Sequence, residues 1–159
     1  MALYLFFNIF TAKFSYMNKL IGRIKELETL KSVLNSDKSE FIAVYGRRRV
    51  GKTFLIRSAL NQKFTFQVTA LANATLSQQL TNFHIALLKD YPAIEHSPAT
   101  NWFSAFQQLT AYMETVKEAR KVIFFDELPW FDTQASGFIQ ALEHFWNSWA
   151  SARNDVILI

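Results

Sequence analysis

Residues 41 to 57, FIAVYGRRRVGKTFLIR, constrain the fold more than any other part of the chain. The run FIAVY is continuous, apolar, β-branched and aromatic-rich, the composition of a strand buried on both faces. A loop bounded by Gly46 and Gly51 follows it, and KTFLIRSAL continues as a helix. Gly46, Gly51, Lys52 and Thr53 fit the spacing G-x-x-x-x-G-K-[ST]. At average composition this pattern arises by chance in roughly one chain in two hundred of this length. The strand before it and the helix after it make a chance glycine turn rarer still.

Phosphate binding dictates these residue types. Gly46 is expected to let the chain leave the strand through a turn that a Cβ would obstruct, and Gly51 to let the backbone approach a phosphate closely. The candidate phosphate-binding segment is Gly46, Arg47, Arg48, Arg49, Val50, Gly51, Lys52, Thr53 and Phe54. Successive amides from Arg48 to Thr53 can point inward as a nest for anionic oxygens. The helix that starts near Lys52 adds the positive end of its dipole. Lys52 reaches the β and γ phosphates as a mobile point charge, and the Thr53 hydroxyl serves Mg²⁺.

Three consecutive arginines also suggest nucleic acid, and the charge balance weighs on that reading. The chain has 17 basic and 13 acidic side chains, a net charge of +4. Arg47, Arg48, Arg49 and Lys52 set aside, the rest balance at 13 of each. A nucleic-acid binder that relies on phosphate neutralisation spreads its Lys and Arg along a face. A local role at a nucleotide site is therefore favoured over a nucleic-acid contact. The three side chains could touch phosphate, anchor the loop to neighbouring carboxylates, or face a partner. There is no cysteine, which excludes disulfides and thiolate metal sites and suits a cytoplasmic protein.

A second acidic site completes the picture. In KVIFFDE, Asp126 stands where the apolar run 122–125 ends. A Mg²⁺–nucleotide site needs a carboxylate held at a strand end beside the phosphate loop, and Asp126 is placed to accept from the Mg²⁺ water shell. Glu127 is the natural base, polarising a water for in-line attack on the γ-phosphate. The candidate catalytic residues are thus Glu127 and Lys52, with Thr53 and Asp126 for the metal.

Elsewhere, helical stripes alternate with strand-like runs. Ile24, Leu27, Leu30 and Leu34 share one helical face, and Leu76, Leu80, Phe83 and Leu87 another, introduced by capping-box spacing at Thr75 and Gln78. Trp102, Phe106, Leu109, Met113 and Val116 make a third stripe, and Phe138, Leu142, Phe145, Trp146 and Trp149 a fourth. FTFQVTA and DVILI read as further strands. This alternation points to an α/β fold with a parallel sheet covered on both faces. His84, His96 and His144 lack metal-ligand spacing and read as surface or half-buried. Trp130 either shapes the cleft or packs the following helix, and Asp132 is expected to cap that helix.

With both motifs in hand, the chain resembles the AAA-related P-loop ATPases of archaea and bacteria, the archaeal-type or STAND-like group. GRRRVGKT is wording typical of that family's Walker A loop, IFFDELPW resembles its Walker B strand, and IGRIKEL resembles its opening G-R-x-x-E-L box. The resemblance covers about residues 18 to 159. It implies a three-layer α/β/α P-loop NTPase fold of the additional-strand type, with DVILI between the two Walker strands. It implies ATP and Mg²⁺ as ligands, no N-K-x-D guanine motif being present, and it brings Ile21, Gly22 and Arg23 near the adenine. The function it implies is Mg²⁺-dependent ATP binding and hydrolysis, used as a switch or motor in the full-length protein. A nucleotide-gated interaction module with little turnover and a nucleic-acid-binding module are the alternatives. ATP is the expected partner, with self-association also in view and the macromolecular partner unspecified.

The ends carry two expectations of their own. MALYLFFNIFTAKFSYM, residues 1–17, is too short to span a bilayer and has no basic residue before its apolar run. It is expected to be a non-native extension or a mobile arm, with the core at 18–159 and no membrane partner. DVILI closes the sequence with no helix after it, which suggests an ATPase core truncated after its fourth strand.

Overall fold

The computed structural model describes residues 23–47, 49–94 and 97–159. Ile21, Gly22, Arg48, His96 and the N-terminal stretch 1–17 lie outside them. Among the described residues the order is α1 (Ile24–Leu34), β1 (Glu40–Phe41), α2 (Lys52–Ala59), β2 (Phe66–Thr69), α3 (Leu76–Asp90), α4 (Trp102–Thr115), β3 (Lys121–Asp126), α5 (Phe138–Phe145) and β4 (Val156–Leu158). A 3-10 turn, Leu128–Trp130, follows β3, and a π-helical turn, Trp146–Ala150, extends α5.

The strands are parallel and ordered β1-β4-β3-β2. The last strand in sequence therefore lies between the strand that enters the glycine loop and the strand that ends in Asp126. In this register Ile157 stands opposite both Glu40 and Val122, and Leu158 opposite both Phe41 and Ile123. β3 and β4 are flanked on both sides, and the run 122–125 of β3 and all of β4 are apolar for that reason.

Side chains alternate between the two faces of the sheet. Phe66 and Val68 of β2, Ile123 and Phe125 of β3, and Val156 and Leu158 of β4 join one core with α3, α4 and α5. Val122, Phe124, Ile157 and Ile159 pack on the opposite face with Ile56 and Leu60 beside them. On that side Leu30 of α1 meets Leu55 and Ala59 of α2. The result is a sheet with helices on both faces. The first core is strongly aromatic: Trp102 meets Phe83, Phe131 and Phe138 edge-on, with ring centroids 4.9–5.6 Å apart. The Thr75–Gln78 capping box is present at the start of α3.

Three expectations need correction here. FIAVY is not a strand buried on both faces. Its ladder is Glu40–Phe41, prolonged by Ile42 N donating to Leu158 O at 2.8 Å. β1 takes the edge of the sheet, so Tyr45 is 92% exposed, and Phe41, half exposed, is met by the ring of Trp146 at 5.3 Å. Ile24 is exposed rather than part of the buried stripe of α1, because that helix buries only its middle turn, at Leu30. Asp132 does not cap α5. The N-cap is Gly137 with φ +70°, and the Ser136 hydroxyl accepts from the Phe138 amide.

Candidate nucleotide site

The loop between β1 and α2 owes its shape to backbone angles that ordinary residues avoid. Gly46 has φ +152° and Gly51 φ +80°, and between them Arg49 holds φ +64°. A Cβ at Gly46 would sit 3.8 Å from Lys52 Cδ and Val50 Cγ2, an ordinary contact. The glycine therefore answers to its torsion, at which a Cβ would strain against its own backbone rather than against a distant neighbour. A Cβ at Gly51 would meet nothing within 4 Å, so this bend of the loop faces open space. Non-glycine residues in the left-handed region cost about 1–3 kcal/mol and collect at functional loops.

Gly51 is the N-cap of α2, and the first helical bond runs from Leu55 N to Gly51 O at 2.9 Å. The amides of Lys52, Thr53 and Phe54 therefore have no intrahelical acceptor. They stand at the positive end of the helix, the ordinary setting for an anion. The Lys52 ammonium turns back over the loop and donates to Gly46 O and Arg47 O, each at 3.2 Å. Arg23 Nη2 donates to Val50 O at 2.5 Å, tying the segment before α1 to the loop. Arg47 and Arg49 are exposed and form no ion pair with a carboxylate among the described residues.

Across the cleft, Thr53 Oγ1 donates to Asp126 Oδ1 at 2.9 Å. The two residues are 73 positions apart in sequence, and the parallel sheet alone makes them neighbours. Two adjacent oxygens on an octahedral Mg²⁺, each about 2.0–2.1 Å from the ion, stand about 2.9 Å from one another. The Thr53–Asp126 pair has that spacing. With its proton committed to Asp126, the Thr53 hydroxyl keeps its lone pairs for a cation. No group of three or more His, Cys, Asp or Glu that could hold a metal occurs among the described residues. Mg²⁺ is commonly held by one or two protein oxygens with phosphate and water completing its shell, so the residues fit that ion.

Asp126 closes β3, where its carbonyl accepts from Ala70 N at 3.0 Å. At Glu127 the chain turns sharply, with φ +56° and ψ +40°, and its side chain is exposed. The Glu127 amide donates to Asp126 Oδ1 at 3.1 Å, and its carbonyl accepts from Trp130 N at 2.9 Å. This bend releases Glu127 from strand alternation, which would have sent it to the face opposite Asp126.

No sequence motif points to Gln79. It is fully buried on α3 and hydrogen-bonds to Leu71 and to Trp130. Its only sequence signal is its spacing, three after Leu76 and four before Phe83, on the apolar stripe. His84, expected at the surface or half-buried, is buried by the same helical arc, and neither ring nitrogen has a hydrogen-bond partner. Trp130 packs against the aromatic core on the α3–α5 side of the sheet. No helix among the described residues is long and apolar enough to cross a membrane.

Over residues 20–159 the chain matches the family described as an ATPase domain predominantly from Archaea, and it belongs to that family. An uncharacterised protein of Methanocaldococcus jannaschii is 33% identical over 110 residues, 69% of this chain and 22% of that protein. An uncharacterised ATP-binding protein of the same organism is 49% identical over 43 residues, 27% of this chain and 73% of that protein. The chain thus spans about a fifth of the length of the first of these relatives. No solved structure matches it significantly.

Proposed function

We propose that the chain binds ATP with Mg²⁺ at residues 46–54 and hydrolyses it, as the nucleotide-driven switch or motor of the full-length protein. The observation that carries this reading is the Thr53–Asp126 hydrogen bond of 2.9 Å at the mouth of a glycine loop that opens a helix. The amides of the loop and of the first turn of α2 receive the phosphates. Lys52 leaves the carbonyls of Gly46 and Arg47 and moves to the β and γ phosphates. Thr53 and Asp126 hold Mg²⁺, which when bound neutralises charge developing on the phosphates. Glu127 accepts the proton of the attacking water. Ile21, Gly22 and Arg23, the last already on the Val50 carbonyl, serve the adenine, and Arg47, Arg48 and Arg49 act locally at the nucleotide. In this reading residues 18–159 are the ATPase core, of the additional-strand type, and residues 1–17 lie outside it.

The test is calorimetry with ATP, with and without Mg²⁺, followed by turnover in the full-length protein. Mg²⁺-dependent binding is expected. Glu127→Gln should keep the affinity and lose turnover, since an amide preserves shape but takes no proton. Absence of Mg²⁺-dependent binding would refute the site, and undiminished turnover in the variant would remove Glu127 from the base role.

A further inference from the structure

Strands β2 and β3 run side by side to Thr69 and Asp126 and then part. Ala70 N still reaches Asp126 O at 3.0 Å, but β3 turns away at Glu127, so Leu71 has no strand opposite it. The side-chain amide of Gln79 fills that gap. Its Oε1 accepts from Leu71 N at 3.1 Å, and its Nε2 donates to Leu71 O at 2.7 Å and to Trp130 O at 2.8 Å. Gln79 thereby pairs with both backbone groups of Leu71 as a neighbouring strand would, and it holds the far end of the turn that carries Glu127. Both Nε2 protons are used, and the residue is 0% exposed.

The turn is held at three points. The Glu127 amide is on Asp126 Oδ1, the Glu127 carbonyl is on Trp130 N, and the Trp130 carbonyl is on Gln79. The first two bonds lie within the turn itself. The third ties it to α3. Glu127 sits in a left-handed conformation that its surroundings must impose. From the fork between the two strands we infer that Gln79 is a positioning residue for Glu127: its amide fixes the turn, and so the distance at which the carboxylate meets the attacking water. This inference rests on the base role proposed above for Glu127. It assigns to α3, which contributes nothing to the phosphate loop, a part in the chemical step.

The experiment compares Gln79→Met, Gln79→Glu and Glu127→Gln in the full-length protein. Gln79→Met keeps the bulk and removes all three bonds. It should bind MgATP within about threefold of the parent, keep its KM, and lose kcat by about 10- to 100-fold, the scale of a misplaced reacting group. Amide exchange should accelerate at Leu71 and Trp130 and not in the middle of β3. In Gln79→Glu, burial against two carbonyl oxygens raises the new carboxyl group's pKa. Protonated, it can still donate to one of them; ionised, it repels both. Its kcat should therefore fall with rising pH where the parent's does not, at temperatures well below melting. Parental kcat in both variants, or unchanged exchange at Leu71 and Trp130 in Gln79→Met, would overturn the inference. So would a loss of kcat matched by equal losses of affinity and melting temperature, which would mean a merely structural role. If Glu127→Gln itself turns over normally, the base assignment fails first, and the exchange measurement alone then decides whether Gln79 holds the turn.

Discussion

Lys52→Ala separates the cost to the fold from the cost to the ligand. In the structure the Lys52 ammonium makes two hydrogen bonds, to Gly46 O and Arg47 O, each at 3.2 Å. That length is the outer limit for a good N–H···O bond. Their joint contribution to the fold is about 1–2 kcal/mol, which moves the melting temperature by about 2–8 °C in a domain of this size. On nucleotide the same ammonium makes charge-assisted contacts to two phosphates, about 1.5–3 kcal/mol each. Giving up the two loop carbonyls offsets about 1–2 kcal/mol of that gain. The net loss on substitution is then about 2–4 kcal/mol, or about 30- to 1,000-fold in affinity. Calorimetry with MgATP on parent and variant reads the second number, and a melting curve followed by circular dichroism reads the first. Equal affinities in the two proteins would show that the loop is not the phosphate site. A melting temperature lowered by more than about 10 °C would show that the ammonium is needed to hold the loop.

Two further predictions concern stability. Asp155 accepts from Arg153 Nε and Nη2 at 2.7 and 2.9 Å and from the buried Lys121 ammonium. The Arg153 guanidinium, with Lys121 behind it, holds its carboxyl well below the usual aspartate range. A folded-state pKa below the unfolded one means that this stability is present above the ordinary carboxylate range and is lost as pH falls below about 4. Asp155→Asn should therefore cost about 3 kcal/mol near neutrality, roughly 6–12 °C, by leaving Lys121 buried without its counter-charge. It should also flatten the acid side of the melting-temperature profile, and a parallel profile would refute the assignment. Thr75→Ala removes one half of the capping box on α3 and should cost about 1 kcal/mol with MgATP affinity unchanged, as melting curves and calorimetry would show.

The shape of the glycine loop was legible because its physics is local. Strand, glycine torsions and helix start all lie within residues 40–59, and each residue type reports a backbone need at its own position. The capping box at Thr75 and Gln78, and the acid at the end of the apolar run VIFF, are local in the same sense. So is the bilateral burial of β3, which needs only an unbroken apolar run, here residues 122–125. Strand order was not local. Composition marks DVILI as buried, but its place between β1 and β3 came from the family resemblance and is set by which edges pair in three dimensions. The same holds for FIAVY, whose apolar run suggested burial on both faces, whereas among the described residues β1 stands at the edge of the sheet. Lys52 reads as a charge reaching for phosphate, whereas without ligand it satisfies carbonyls of its own loop. Gln79, His84 and Lys121 were invisible as buried polar groups because burial depends on the element packed against them. The partners of Gln79 and Lys121, at Leu71 and Trp130 and at Asp155, come from other segments of the chain. A sequence states what each residue can bond to; only the packed sheet and helices decide which of those bonds has a partner within reach.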